Sequence, residues 1–150
     1  MHSTTRKLTI QALMLVALLA PGAGRADAPA LAPQSQAKEH VVFQVSDASA
    51  ATWNLTLANA RNALNSLGKY HLEVEIVAYG PGIDLLRFES VLGNSIGQAV
   101  ADGVHIVACQ NTMKSKHLTS DDMLPTIGYV PVGVLELISK EHAGWAYVRP

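Results

Sequence analysis

One residue in this chain stands out as able to do covalent chemistry: Cys109, its only cysteine. It follows the apolar run Val104-His105-Ile106-Val107-Ala108, which reads as a buried strand, and a short helix is expected from Thr112 to His117. In open α/β sheets, reacting groups and ligands collect outside the carboxyl ends of the strands. Free backbone N–H groups at a helix start, together with the positive end of its dipole, favour thiolate over thiol. Free cysteine is also among the most buried residue types, so the same position suits a packing role. Position alone leaves both readings open.

The polar residues expected along the same sheet edge supply possible companions. Ser46 and Asp47 follow the first strand, and Tyr79 with Gly80-Pro81-Gly82 follows the second. Gln110, Asn111 and Thr112 follow Cys109, and Pro131 and Gly133 follow the fourth strand. We take Asp47, Tyr79, Gly80, Gly82, Asn111 and Thr112 as candidate binding residues around Cys109. A Gly-Pro-Gly turn after a strand can cradle an anion. This one lacks the spacing of a dinucleotide or Walker loop, so a tight turn is the plainer reading. His105 shares a strand face with Cys109 but lies about 13 Å away at roughly 3.3 Å per residue. It is out of reach as a base, and a packed role is expected for it. His40 and His71 open strands at the opposite edge, and His117 lies further along the helix after Cys109. A Cys-His protease-like pair is therefore disfavoured. The chain holds no C-x-x-C, H-x-H or H-E-x-x-H, so neither a metal nor another cofactor is expected.

These residues need a scaffold, and the hydrophobic pattern specifies one. Val41 to Val45 reads as a first strand, buried on both faces. Trp53, Leu57, Ala60, Leu64 and Leu67 then recur at helical spacing, with Gly68 as the stop and Asp47 or Ser49 as the cap. Leu72 to Tyr79 is the second strand. Ile83 to Asp102 should hold one or two helices, and Thr119 to Asp122 looks like a capped helix start. Ile127 to Val130 is a fourth short strand. Val132 to Glu141 is a helix with Leu135 and Ile138 on its inner face, and Trp145 to Val148 is the last strand. Alternating strands and helices predict a three-layer α/β/α fold around a mostly parallel sheet of about five strands.

The N-terminus reads as an address. Arg6 and Lys7 precede the apolar run Leu8 to Ala20, and Gly24-Arg25-Ala26 offers small residues where a signal peptidase cuts. The run is too short to cross roughly 30 Å of hydrocarbon as a helix. Residues 1–26 are therefore expected to be a cleaved signal peptide. Residues 27–38, rich in Ala, Pro, Gln and Ser, are expected to be a flexible leader, and the folded domain to span 39–150. A periplasmic or secreted protein, with no membrane anchor after cleavage, follows. A lone cysteine there can form no internal disulfide. The net charge is -1, and without a basic face no nucleic-acid partner is expected.

Several segments taken together resemble the DsrE/DsrF-like family, and more narrowly its small stand-alone exported members. They are VVFQVSDASAATWNLTLANARN, VEIVAYGPGIDLL, GVHIVACQNTMKS and VPVGVLELISKEHAGWAYVRP. The resemblance covers essentially all of 40–150, with A-Y-G-P-G, A-C-x-N-T-M and G-W-A-Y-x-x-P as its most specific pieces. It implies a compact α/β/α fold and assembly into homo-trimers or homo-hexamers. Sulfur-oxidising members of the wider family carry sulfur as a persulfide on a cysteine after a central strand, and Cys109 matches that position in kind. The resemblance thus implies sulfur handling through Cys109, as a persulfide carrier or sulfurtransferase-like protein with a donor or acceptor partner. The alternative is a non-catalytic homo-oligomer that binds a small ligand or anion at the strand-end cleft, with Cys109 a packing residue.

Overall fold

The computed structural model describes residues 38–150. The expected signal peptide and all but the end of the expected leader lie outside the described residues. The described chain alternates strand and helix. Glu39–Val45 (β1) leads into Ala50–Leu67 (α1), and Leu72–Ala78 (β2) runs into a 3₁₀ turn over Gly80–Leu86. Gly93–Ala101 (α2), Val104–Cys109 (β3), Gln110–Ser115 (α3) and a 3₁₀ turn at Ser120–Asp122 follow. Gly128–Val130 (β4), Gly133–His142 (α4) and Ala146–Val148 (β5) complete the chain.

The five strands form one sheet in the order β4-β3-β2-β1-β5, and every pairing is parallel. The first four strands step steadily to one side. The β4–α4–β5 connection then returns across the whole sheet to the far side of β1. A crossover that reverses direction must pass over the opposite face to keep its hand. The helices divide accordingly: α1 and α2 pack on one face, and α4 lies alone on the other. Among the described residues no helix is long and apolar enough to cross a membrane.

The two faces are built unequally. The α1/α2 face holds the main core, with Phe43, Val45, Val74, Ile76, Ala78, Val104, Ile106 and Ala108 beneath Trp53, Leu57, Ala60, Leu64, Ile96 and Ala99. Leu67, expected on the inner face of α1, is half exposed where the helix runs past the sheet. Thr56 is buried instead, its hydroxyl donating to the Thr52 carbonyl at 2.8 Å. Ser49 caps α1 by accepting from the Thr52 N–H, and Asp47 in turn accepts from the Ser49 N–H.

On the other face the core is small: Val42, Val77 and Leu137, with Tyr79, Val107, Val130 and Trp145 packed around them. Leu135 and Ile138, expected to point inward, are 61% and 42% exposed. The inner stripe of α4 is Gly133, Leu137 and Lys140 instead. At its N-terminus α4 comes close to the sheet, where a Cβ on Gly133 would lie 3.1 Å from Tyr79 Cβ and 3.3 Å from Cys109 Cβ. A side chain there would crowd both neighbours by a few tenths of an ångström, so glycine suits the approach, and the positions four and seven residues later share its inward face. At the far end of the stripe Lys140 Nζ meets Glu75 Oε2 at 2.8 Å. Burial pushes the Glu75 carboxyl above the usual range, and the Lys140 ammonium only partly offsets this. His105, expected to pack, is exposed, because α4 covers β1 and β2 rather than the start of β3.

The turn after β2 is locked from below. Trp53 is fully buried and its indole N–H donates to the Gly82 carbonyl at 3.1 Å. A Cβ on Gly82 would sit 2.5 Å from the Val45 carbonyl oxygen, so the turn presses directly on the end of β1. Gly82→Ala should therefore lower stability by about 2 kcal/mol through overpacking against backbone. Thermal denaturation should show a fall of roughly 10 °C in Tm.

Candidate functional site

Cys109 is the last residue of β3, and with no intervening loop it is also the N-cap of α3. The helix was expected to start at Thr112, but it starts at Gln110. The sulfur, rather than a Ser or Asp oxygen, accepts the Thr112 N–H at 3.4 Å. Strand alternation points Cys109 to the α4 face, as it does Tyr79 on the neighbouring strand. There the Gly133 N–H donates to Sγ at 3.2 Å. Gly133 is the first residue of α4, and its N-cap, Val132, offers no side-chain cap. One sulfur thus serves the starts of two helices, each of which leaves backbone donors unsatisfied.

Thr112 contributes twice. Besides its N–H, its hydroxyl lies against the sulfur and accepts the Gly80 N–H at 3.0 Å. Accepting from Gly80 leaves the hydroxyl proton free to turn toward Sγ. Burial of Cys109 by itself opposes ionisation. The Thr112 hydroxyl and the N–H groups of Gly133, Thr112 and Asn111 outweigh it and hold the thiol below its ordinary range. Asn111 contributes least, since its N–H already donates to the Pro131 carbonyl at 3.1 Å.

The structure sorts the residues proposed from sequence. Thr112 and Gly80 are part of the sulfur's hydrogen-bond chain, and Tyr79 lies beside Cys109 as a packing neighbour of Gly133. Asn111 takes part through its backbone, and its side chain is exposed. Gly82 acts one step away, by fixing the turn that carries Gly80. Asp47 is engaged with its own loop. Gly133 is the donor that sequence reasoning passed over. Its position after the fourth strand was visible, but its contact with Cys109 depends on β4 lying beside β3.

Access to the thiol is narrow, since Cys109 is 4% exposed. A pocket of about 390 Å³ opens beside α3, walled by Gln110, Met113, Lys114, Thr119 and Tyr129 among others, and Cys109 is not one of its walls. Among the described residues no group of three or more His, Cys, Asp or Glu side chains is placed to hold a metal ion. A buried thiol with its donors already aimed can stabilise negative charge on sulfur, whether thiolate or persulfide, without rearrangement.

Comparison with known proteins adds a family. Residues 39–150 match the model of the DsrE/DsrF-like family. No curated protein matches the chain. Among solved structures, a protein of unknown function from Methanobacterium thermoautotrophicum, MTH1491, is similar at 30% identity with a TM-score of 0.72, over 75% of this chain and 100% of its own. BT1422 of Bacteroides thetaiotaomicron, also of unknown function, shares the fold at 18% identity and a TM-score of 0.62, over 75% of this chain and 95% of its own. The ychN protein of E. coli does so at 8% identity and a TM-score of 0.61, over 76% of this chain and 99% of its own.

The lowered thiol pKa has a testable sign. Thiolate should persist below the pH at which an ordinary cysteine protonates, and reactivity should be lost only as pH falls through the lowered value. Thr112→Val removes the hydroxyl donor, so the ultraviolet titration of the thiolate should move up by about one pH unit.

Proposed function

The chain belongs to the DsrE/DsrF-like family, and from that premise we propose that it is an exported sulfur carrier working through Cys109. The observation that carries this reading is the convergence of donors on one sulfur: two helix starts and a threonine hydroxyl. In the proposed step the Cys109 thiolate attacks the terminal sulfur of a donor persulfide, R–S–SH. A new sulfur–sulfur bond forms at Cys109, the donor's own sulfur–sulfur bond breaks, and R–S⁻ leaves with the electron pair. The product is Cys109–S–SH, with no net oxidation or reduction. Reversal onto an acceptor thiolate passes the sulfur on. The donors at Sγ stabilise the attacking anion and also Cys109 as the leaving thiolate in the transfer step. Low exposure restricts the reaction to a slender approaching group, and the terminal sulfur of a persulfide is one. The charged segment, apolar run and small-residue site in 1–26 support export to the periplasm or beyond.

The same low exposure favours a second reading, in which Cys109 is a helix cap and the protein binds a small ligand or anion without catalysis. Sulfur uptake separates the two. Incubation of the mature protein with a persulfide donor should add one sulfur mass at Cys109, and Cys109→Ser should abolish it. A native protein that takes up no sulfur would remove the carrier reading and leave the cap.

We also propose a homo-oligomer, a trimer or hexamer. Val134, Leu135 and Ile138 form an outward apolar stripe on α4, exposed by 42% to 61%. A stripe of that kind on a small domain marks a contact surface. Light scattering should give a multiple of the protomer mass, and Leu135→Lys should shift it toward the monomer.

A further inference from the structure

The helix that delivers Gly133 to the thiol is thinly attached. Across the sheet α1 buries five side chains, whereas α4 buries only Gly133 and Leu137. The third inward position of the same stripe, where an apolar residue would add adhesion, is Lys140. Its Nζ meets Glu75 Oε2 at 2.8 Å and lies 4.0 Å from the centroid of the Trp145 ring. Glu75 sits in the middle of β2 at 7% exposure, and its other oxygen, Oε1, has no hydrogen-bond partner. A carboxylate in that place is costly, and a well-packed apolar pair would often be no less stable.

The pair lies at the other end of α4 from the thiol. Gly133 and Lys140 share one stripe about two turns, roughly 10 Å, apart. Glu75 is aligned with His105 on β3, four residues before Cys109, so the ion pair cannot touch the sulfur. A helix is a stiff rod, however, and a charged, directional contact at one end constrains slide and rotation at the other. A leucine alone holds such a rod down without fixing either.

We propose that the Glu75–Lys140 ion pair is a positioning device for the Cys109 thiol, holding α4 at the rotation and slide that bring the Gly133 N–H onto Sγ. The proposal rests on reading Cys109 as a reactive thiolate and names the pair as positioning residues of that site. The cost of the buried carboxylate thereby gains a purpose: it secures a hydrogen bond at the reacting atom rather than stability as such.

Glu75→Val and Lys140→Met each cut the tie at similar side-chain volume, and they change the local charge in opposite directions. The thiolate titration of the full chain, followed by ultraviolet absorbance with circular dichroism to confirm folding, should move up in both variants. The expected rise is about half to one pH unit, the effect of weakening one charge-assisted hydrogen bond. A pure field effect would split them, Glu75→Val falling and Lys140→Met rising. That split, or an unmoved Glu75→Val, overturns the proposal. Should Glu75→Val fail to fold, Glu75→Gln takes its place with a rise of the same sign expected. Sulfur uptake measured on the same proteins keeps the claims apart. Wild type that takes no sulfur while both variants titrate high refutes the carrier and supports the positioning role. Wild type that takes sulfur with neither variant shifted refutes the positioning role alone.

Discussion

The approach of Gly133 to Cys109 is the contact on which the rest of this face depends. A sulfur atom is a weak acceptor when protonated and a good one when ionised. Here it stands where helices normally find a Ser or Asp oxygen, and it does so for α3 and α4 together. Both helix starts are therefore best satisfied when the thiol has lost its proton. Fold and chemistry are linked through the same bonds, because what completes the caps also stabilises the anion. The close approach is eased by a glycine, whose inward position is shared by the residues four and seven places later. Leu137 and Lys140 face the sheet, and Val134, Leu135 and Ile138 face outward.

The unequal faces of the sheet follow from the route of the chain. Three crossovers step in one direction and build a deep apolar layer around Trp53, Ile76, Ile83 and Ile96. A single return crossover leaves the opposite face to one short helix. Burying one leucine contributes only about 1.5–3 kcal/mol, so α4 is held less firmly by apolar burial than α1. The polar groups on that face are correspondingly many: Glu75 with Lys140 and Glu136, His40 tilted against Trp145, and Tyr147 hydrogen-bonded to Gln44. The deep apolar core lies on one side of the sheet and a thin, more polar contact on the other, and Cys109 points to the thin side.

This division bears on how the thiol is held. The β3–α3 junction and the Gly80 turn, pinned by Trp53, are rigid features of the main core side. The α4 start is supplied from the lighter side. The thiol thus lies at a seam between a fixed half and a lightly held half of its own donor set.

Much of this was written in the sequence because it is local. The strand–helix alternation, the end of β3 at Cys109, the glycine turn after β2 and the helix following the cysteine all come from patterns a few residues long. Such patterns reflect backbone sterics and one-face burial. Thr112 was within reach for the same reason, being three residues from the sulfur it bonds. The phase of α4 was not legible. Val134, Leu135, Leu137 and Ile138 spread apolar residues around too much of a ten-residue helix for periodicity to choose a face. The inward face is the one on which Gly133 meets Tyr79 and Cys109, three residues far apart in the chain. The pairing of Glu75 with Lys140, across 65 positions, was equally hidden, since no local pattern marks a buried carboxylate that finds its cation on another element. Sequence alone determined that a lone cysteine stands at the end of a buried strand. Only tertiary structure, by laying β4 against β3 and carrying α4 back across the sheet, decided that a second helix start would meet its sulfur.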